Sequence, residues 1–176
     1  LALQLVFWLG LRPLLFTVPH LPPVYAISDV QAATLDAPTL EGLSRASFAP
    51  SDLPWTASCK PGYRALRFSL EIPEIPEGGV ALVPNVDADN LRVYVNGAAV
   101  VASGKMTLPN TSYDANIKSI LFVSSGVFHQ GANPVDIVMV RATLPYFDVG
   151  KPIFAAYDEA WPRLRLRNFI LNEYEI

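Results

Sequence analysis

The chain is poor in reactive side chains. It has one cysteine, Cys59, in 176 residues, which excludes an internal disulfide framework and a Cys-rich zinc site. Cys59 sits in the loop composition Ser58-Cys59-Lys60-Pro61-Gly62 with no His beside it, and reads as an incidental thiol. There are two histidines: His20 lies in an apolar N-terminal region, and His129 lies in a loop with no acid next to it. Charged residues make up 16% of the chain, below the roughly 25% of an ordinary soluble domain, and the net charge is −3. With 51% hydrophobic residues this excludes intrinsic disorder, and the absent basic excess excludes nucleic-acid binding driven by positive charge. No Gly-x-Ser-x-Gly elbow, phosphate-cradling glycine loop or His-Glu-x-x-His pair is present, so no catalytic role is expected.

What the chain does have is apolar residues punctuated by 16 prolines, which argue against a helical bundle. Residues 1–11 are uncharged and almost wholly apolar, and Pro13, Pro19, Pro22 and Pro23 follow before Val24-Tyr25-Ala26. A short apolar core, helix breakers and a small final residue are the layout of a secretory signal peptide or membrane anchor, with a cut expected after Ala26. Export places the domain in the periplasm or outside the cell, held at a membrane. Residues 27–158 form the expected domain, and residues 159–176 an exit segment.

Within that domain, residues 27–55 read as linker and edge strand. In Tyr63 to Ile72, Leu66, Phe68, Leu70 and Ile72 alternate with Arg67, Ser69 and Glu71, the pattern of a half-buried strand. Residues 73–79 hold two prolines and Gly78-Gly79 and read as a loop; 80–83 read as a strand. Leu91, Val93 and Val95 alternate with Arg92 and Tyr94, and Asn96-Gly97 then marks a hairpin into 98–101. Further strands are expected over 117–123, 135–140 and 152–156, with a long loop at 103–116 and a turn at 124–134. Only the tail, 157–176, has a helical composition, with Pro162 suited to a first turn. Short strands between turn signals predict an all-β antiparallel sandwich or barrel.

The Tyr63-Arg64…Phe68 strand, the Gly-Gly turn, Asn90-Leu91-Arg92-Val93-Tyr94-Val95-Asn96-Gly97 and Gly131-Ala132-Asn133-Pro134-Val135-Asp136-Ile137 together resemble the jelly-roll, galactose-binding-like domain. Such domains occur as sugar-binding modules beside β-galactosidase and β-glucuronidase catalytic domains. They also occur as the periplasmic sensor region of bacterial membrane-bound diguanylate cyclases and histidine kinases. Ala160-Trp161-Pro162-Arg163-Leu164-Arg165-Leu166-Arg167-Asn168-Phe169 is similar to the exit of those sensors toward the membrane. The resemblance implies a jelly-roll β-sandwich and a non-enzymatic sensory role upstream of a cyclase or kinase output. The chain departs from it in lacking an acidic residue before Asn133, and in carrying Tyr113 as the one aromatic of the 103–116 loop.

Four loop residues are candidates for ligand binding: Trp55 and Tyr113 for stacking, Lys105 and Asn110 for hydrogen bonds to hydroxyls or an anion. The expected partner is a small molecule, with carbohydrate as the leading class; nucleic acid is not expected, and a homodimer is allowed. No cofactor is expected beyond a structural calcium, for which Asn85, Asp87, Asp89 and Asn90 offer clustered oxygens. The same Asx residues equally suit turns. Glu71, Glu74 and Glu77 surround the Pro-rich loop and read as solvated acids. Arg163, Arg165 and Arg167 suit an anionic membrane surface or a polar edge. Two other functions fit the same sequence: a carbohydrate-binding module of a secreted glycoside hydrolase, and an assembly sandwich that binds nothing small.

Overall fold

A computed structural model describes residues 23–58, 61–102, 104–113, 120–142, 144, 146–162 and 164. Residues 1–22 of the expected signal stretch, with His20, then Cys59, residues 117–119 of an expected strand and the arginines 163, 165 and 167 lie outside the described residues.

The strands are β1 (Ala26–Leu35), β2 (Ala49–Pro50), β3 (Trp55–Ser58), β4 (Gly62–Ile72), β5 (Val80–Val83) and β6 (Val86–Asp87), then β7 (Asn90–Val95), β8 (Ala98–Ala102), β9 (Leu121–Val123), β10 (Gly131–Arg141), β11 (Tyr146–Val149) and β12 (Ile153–Ala156). One short helix, α1 (Leu40–Arg45), joins β1 to β2, and residues 157–162 form a second, α2. All strand pairs are antiparallel. Six strands form one sheet in the order β2-β1-β4-β10-β7-β8; two three-stranded sheets, β3-β11-β6 and β12-β5-β9, oppose it. The fold is an all-β antiparallel sandwich.

Side-chain alternation builds the core. Leu66, Phe68, Leu70 and Ile72 of β4 point inward as expected, joined by Leu91, Val93 and Val95 of β7 and Val135, Ile137 and Met139 of β10. They meet Val80, Leu82, Val86, Phe147, Val149 and Phe154 of the facing sheets. Phe68 and Phe154 cross the layers edge to face, with centroids 5.8 Å apart.

The outer face of the large sheet is also apolar, because α1 and the 104–113 loop cover it. Leu43 of α1 with Met106 packs on Ala33, Leu35, Ala65, Tyr94, Val138 and Val140. Helix α1 was not expected from the sequence. Its six residues are too short to show a period, but it is capped: the Gly42 amide donates to Thr39 Oγ1 at 3.1 Å. Arg45 in its last turn pairs with Glu41 and Asp36, each at 3.0 Å.

The structure differs from expectation at three further places. Residues 27–35, read as part of a linker and edge strand, belong to a ten-residue strand, Ala26–Leu35, next to β4. Its alternation is broken by a bulge between Ser28 and Gln31, with Asp29 at φ 54°, so its sequence shows no clean period of two. Residues 146–149 form β11, a four-residue strand with too few positions to stand out. The fold also takes up Tyr25 and Ala26, which lie before the expected cut: the Tyr25 amide donates to Phe154 O at 2.8 Å and Ala26 pairs with Glu71.

The two motifs that carried the family resemblance meet in space. Asn96 (φ 51°) and Gly97 (φ 79°) both adopt positive φ, as the two-residue hairpin requires. Asn96 Nδ2 donates to Val127 O and to Asn133 Oδ1, each at 2.8 Å. Asn133 is fully buried; its amide group also accepts from the His129 amide and donates to His129 O and Gly131 O. The pair clamps the β7–β8 hairpin to the turn before β10.

Candidate functional site

The expected ligand residues fall on two layers. Trp55 opens β3 opposite Val149, half-buried against the interlayer core, with Nε1 buried and without a hydrogen-bond partner. Lys105, Asn110 and Tyr113 are exposed on the 104–113 loop, over the far face of the large sheet. That loop is pinned rather than open. The Leu108 amide donates to Tyr63 Oη at 3.1 Å, and Asn90 Nδ2 donates to Ser112 O at 3.2 Å and Ser112 Oγ at 3.1 Å. The structure thus brings three of the four residues onto one loop and leaves Trp55 on the opposite layer.

The four expected calcium ligands have other partners. Arg141, 2% exposed, projects between two of them: Nη2 lies 3.0 Å from Asp87 Oδ1 and Nη1 lies 3.5 Å from Asp89 Oδ1. Nη2 also donates to Asp87 O, and the Ala142 amide donates to Asp89 Oδ2 at 2.6 Å. Asn85 Nδ2 donates to Lys151 O, and Asn90 binds the Ser112 loop. A guanidinium supplies the positive charge these carboxylates need, with Tyr146 and Phe147 facing it at 5.3 and 5.9 Å. Among the described residues no group of three or more His, Cys, Asp or Glu is placed to hold a metal ion. His129 N–H and O serve the Asn133 clamp, and its ring Nδ1 sits 3.1 Å from Gln130 O.

A concave site lies at the other end of the sandwich. A cleft of about 340 Å³ is bounded by Pro23, Tyr25 and the loop residues Pro73, Glu74, Ile75, Pro76 and Glu77, and closed by Ala156 and Glu159. Among the described residues its walls are five apolar residues, one phenol and three carboxylates, with no basic side chain. The Tyr25 phenol titrates above its ordinary value of 10.0, first through burial, then through the negative charges of Glu159 and Glu74.

The loop that lines the cleft also seats α2. Gly79 O accepts from the Tyr157 amide at 2.9 Å, and Ser125 Oγ donates to Pro76 O. A Cβ at Gly78 would overlap the Asp158 carboxylate, and one at Gly79 (φ 87°) the ring of Phe122. Gly78 lets the first turn of α2 approach the loop, and Gly79 lets β9 do so. Beyond it, Phe122 and Tyr157 meet edge to face at 5.0 Å, and Tyr157 stacks on Trp161 at 5.6 Å. On its inner side, α2 buries Ala160 against the β12-β5-β9 sheet.

Sequence reasoning placed Tyr25 in the leader and read Glu74 and Glu77 as solvated. The Pro-rich loop with acids at 74 and 77 was the available signal. Glu159, more than eighty residues away in sequence, carried no sign that it would join them. No helix among the described residues is long and apolar enough to cross a membrane.

No protein-family model matches the chain, and no curated protein matches it in sequence. Among solved structures it is similar to the β-glucuronidase from Ruminococcus gnavus in complex with C6-substituted uronic isofagomine, at 11% identity and a TM-score of 0.47. That alignment covers 78% of this chain and 30% of the enzyme chain. The chain therefore spans under a third of the enzyme, and a likeness this distant carries nothing about function.

Proposed function

We propose that this chain is a non-enzymatic, extracytoplasmic ligand-binding domain of a membrane-bound bacterial signalling protein, with a diguanylate cyclase or histidine kinase as its output. One observation carries the binding part. The cleft and helix α2 share the loop 73–79, with Glu74 to Glu77 lining the cleft and Gly78-Gly79 seating the helix. A ligand that prefers one position of this loop shifts the population of α2 positions, and so acts on whatever follows the exit segment. The sequence resemblance to periplasmic sensor regions supports the signalling part.

The test has two arms. A calorimetric panel of small molecules on the chain yields a saturable ligand, and Ile75→Arg, which fills the cleft, abolishes its binding. In a full-length signalling protein, deletion of residues 27–158 removes stimulus-dependent output. Ligand binding untouched by Ile75→Arg, or unchanged output after the deletion, contradicts the proposal.

A second reading, a carbohydrate-binding module, is favoured by one feature: the Phe122, Tyr157 and Trp161 rings form a contiguous surface group, with Phe122 54% and Trp161 38% exposed. Aromatic faces of this kind stack on sugar rings. A glycan array separates the two readings: glycan binding lost in Trp161→Ala but kept in Ile75→Arg favours the module.

A further inference from the structure

The hairpin between β7 and β8 turns on Asn96-Gly97, the one Asn-Gly pair in the chain. In such a pair the glycine amide nitrogen can attack the carbonyl carbon of the asparagine side chain, because no side chain on the glycine hinders the approach. Ammonia leaves as a succinimide ring closes, and water opens the ring to aspartate or isoaspartate. The reaction takes no other reagent. Both residues are exposed, and a Cβ at Gly97 would meet nothing within 4 Å. The turn is therefore open to the water that the second step consumes.

The folded chain opposes the first step. Attack on Cγ needs the Asn96 side chain free to turn toward the Gly97 nitrogen, but its Nδ2 is held by Val127 O and Asn133 Oδ1, each at 2.8 Å. The product does not fit the same place. A carboxylate at position 96 sets an oxygen against these two acceptors. Asn133 cannot turn its amide over to meet it: Nδ2 donates to His129 O and Gly131 O, each at 2.8 Å, and Oδ1 accepts from the His129 amide at 3.0 Å. Asn133 is also fully buried, so no water replaces the lost donor. Isoaspartate further lengthens the backbone inside a two-residue turn.

We propose that Asn96 is a site of spontaneous deamidation, kept silent by the clamp while the fold is intact, and that its conversion releases the β7–β8 hairpin from the turn before β10. Each local opening of the hairpin exposes Asn96 to a change that reclosing does not reverse.

Peptide mass spectrometry of the chain incubated at pH 8 and 37 °C follows the conversion at Asn96. The native chain is expected to convert at least tenfold more slowly than the chain unfolded in guanidinium chloride. Asn133→Ala, without denaturant, speeds the conversion, while Phe147→Leu, a core truncation beside Arg141 at the far end of β10, does not. Equal rates in the native and unfolded chain overturn the proposal. So does equal acceleration by the two variants, which would mark opening of the whole fold and not of the clamp. Asn96→Asp makes the product directly and needs no Asn133 variant. Its urea midpoint is expected below the parent's, with faster exchange of the His129 amide. A parental midpoint with parental exchange contradicts the release.

Discussion

Two acidic regions sit at opposite ends of the same β-ladder. The β4–β10 register runs from Gly131 against Ile72, beside the cleft loop, to Arg141 against Gly62. Ten steps of extended chain separate the ends by about 30 Å. At the Arg141 end, Asp87 and Asp89 close on a buried guanidinium, and the Ala142 amide takes a further carboxylate oxygen. At the other end, Glu74, Glu77 and Glu159 border open space that no basic residue lines among the described residues. The difference shows what decides whether an acidic group is scaffold or candidate site. Acids compensated from within hold the fold, and acids left facing a concave apolar wall are available to a ligand.

The comparison breaks most visibly at the compensated end. Arg141→Met leaves Asp89 buried without its charge partner and is expected to destabilise the chain by about 3–5 kcal/mol in urea unfolding. Adding Asp89→Asn recovers part of that loss, and the double-mutant cycle measures the coupling. If Arg141→Met unfolds at the parental midpoint, the region is not a compensated cluster. Next in size is Gly79→Ala, which places a side chain at positive φ against the Phe122 ring; about 1–3 kcal/mol is expected, together with altered fluorescence from Trp161. Comparable is Asn133→Ala, which strips the partner from the His129 amide and from Asn96, at about 1–3 kcal/mol.

The open end responds differently. Glu74→Gln/Glu159→Gln is expected to leave stability within about 0.5 kcal/mol of the parent, since neither carboxylate serves the core. A large loss there would put both regions in the same class. The smallest effect concerns pH. Folding raises the Tyr25 phenol, so the unfolded chain releases that proton first. The contribution to stability is complete below the ordinary value of 10.0 and is lost as pH rises from there through the raised folded value. Tyr25→Phe flattens this part of the alkaline unfolding profile. The Glu74→Gln/Glu159→Gln variant brings the Tyr25 absorbance midpoint down toward, but not to, the ordinary value, because burial is the larger cause.

How much of this the sequence shows depends on period. Strands β4, β7 and β10 alternate over six or more residues against one core, and each was legible, as was the Asn96-Gly97 turn. Strand β1 was obscured by its bulge, α1 and β11 by their shortness. Asn133 was visible as part of a motif, but its use, a clamp on Asn96, needed the fold. The Asx residues at 85–90 suggested a cation, and the cation beside Asp87 and Asp89 is Arg141, a residue more than fifty positions on that no local pattern connects to them. The cleft was hidden for the same reason: Tyr25, Glu74 and Glu159 come from three distant stretches that only the β12–Tyr25 contact and the Gly78-Gly79 turn bring together.

Loop 73–79 joins the cleft to helix α2. Hydrogen–deuterium exchange of the chain with and without a saturating compound from the calorimetric panel tests this directly. Amide exchange is expected to change over 73–79 together with 157–162, and not over 104–113. Protection of 73–79 with exchange in 157–162 unaltered would contradict it.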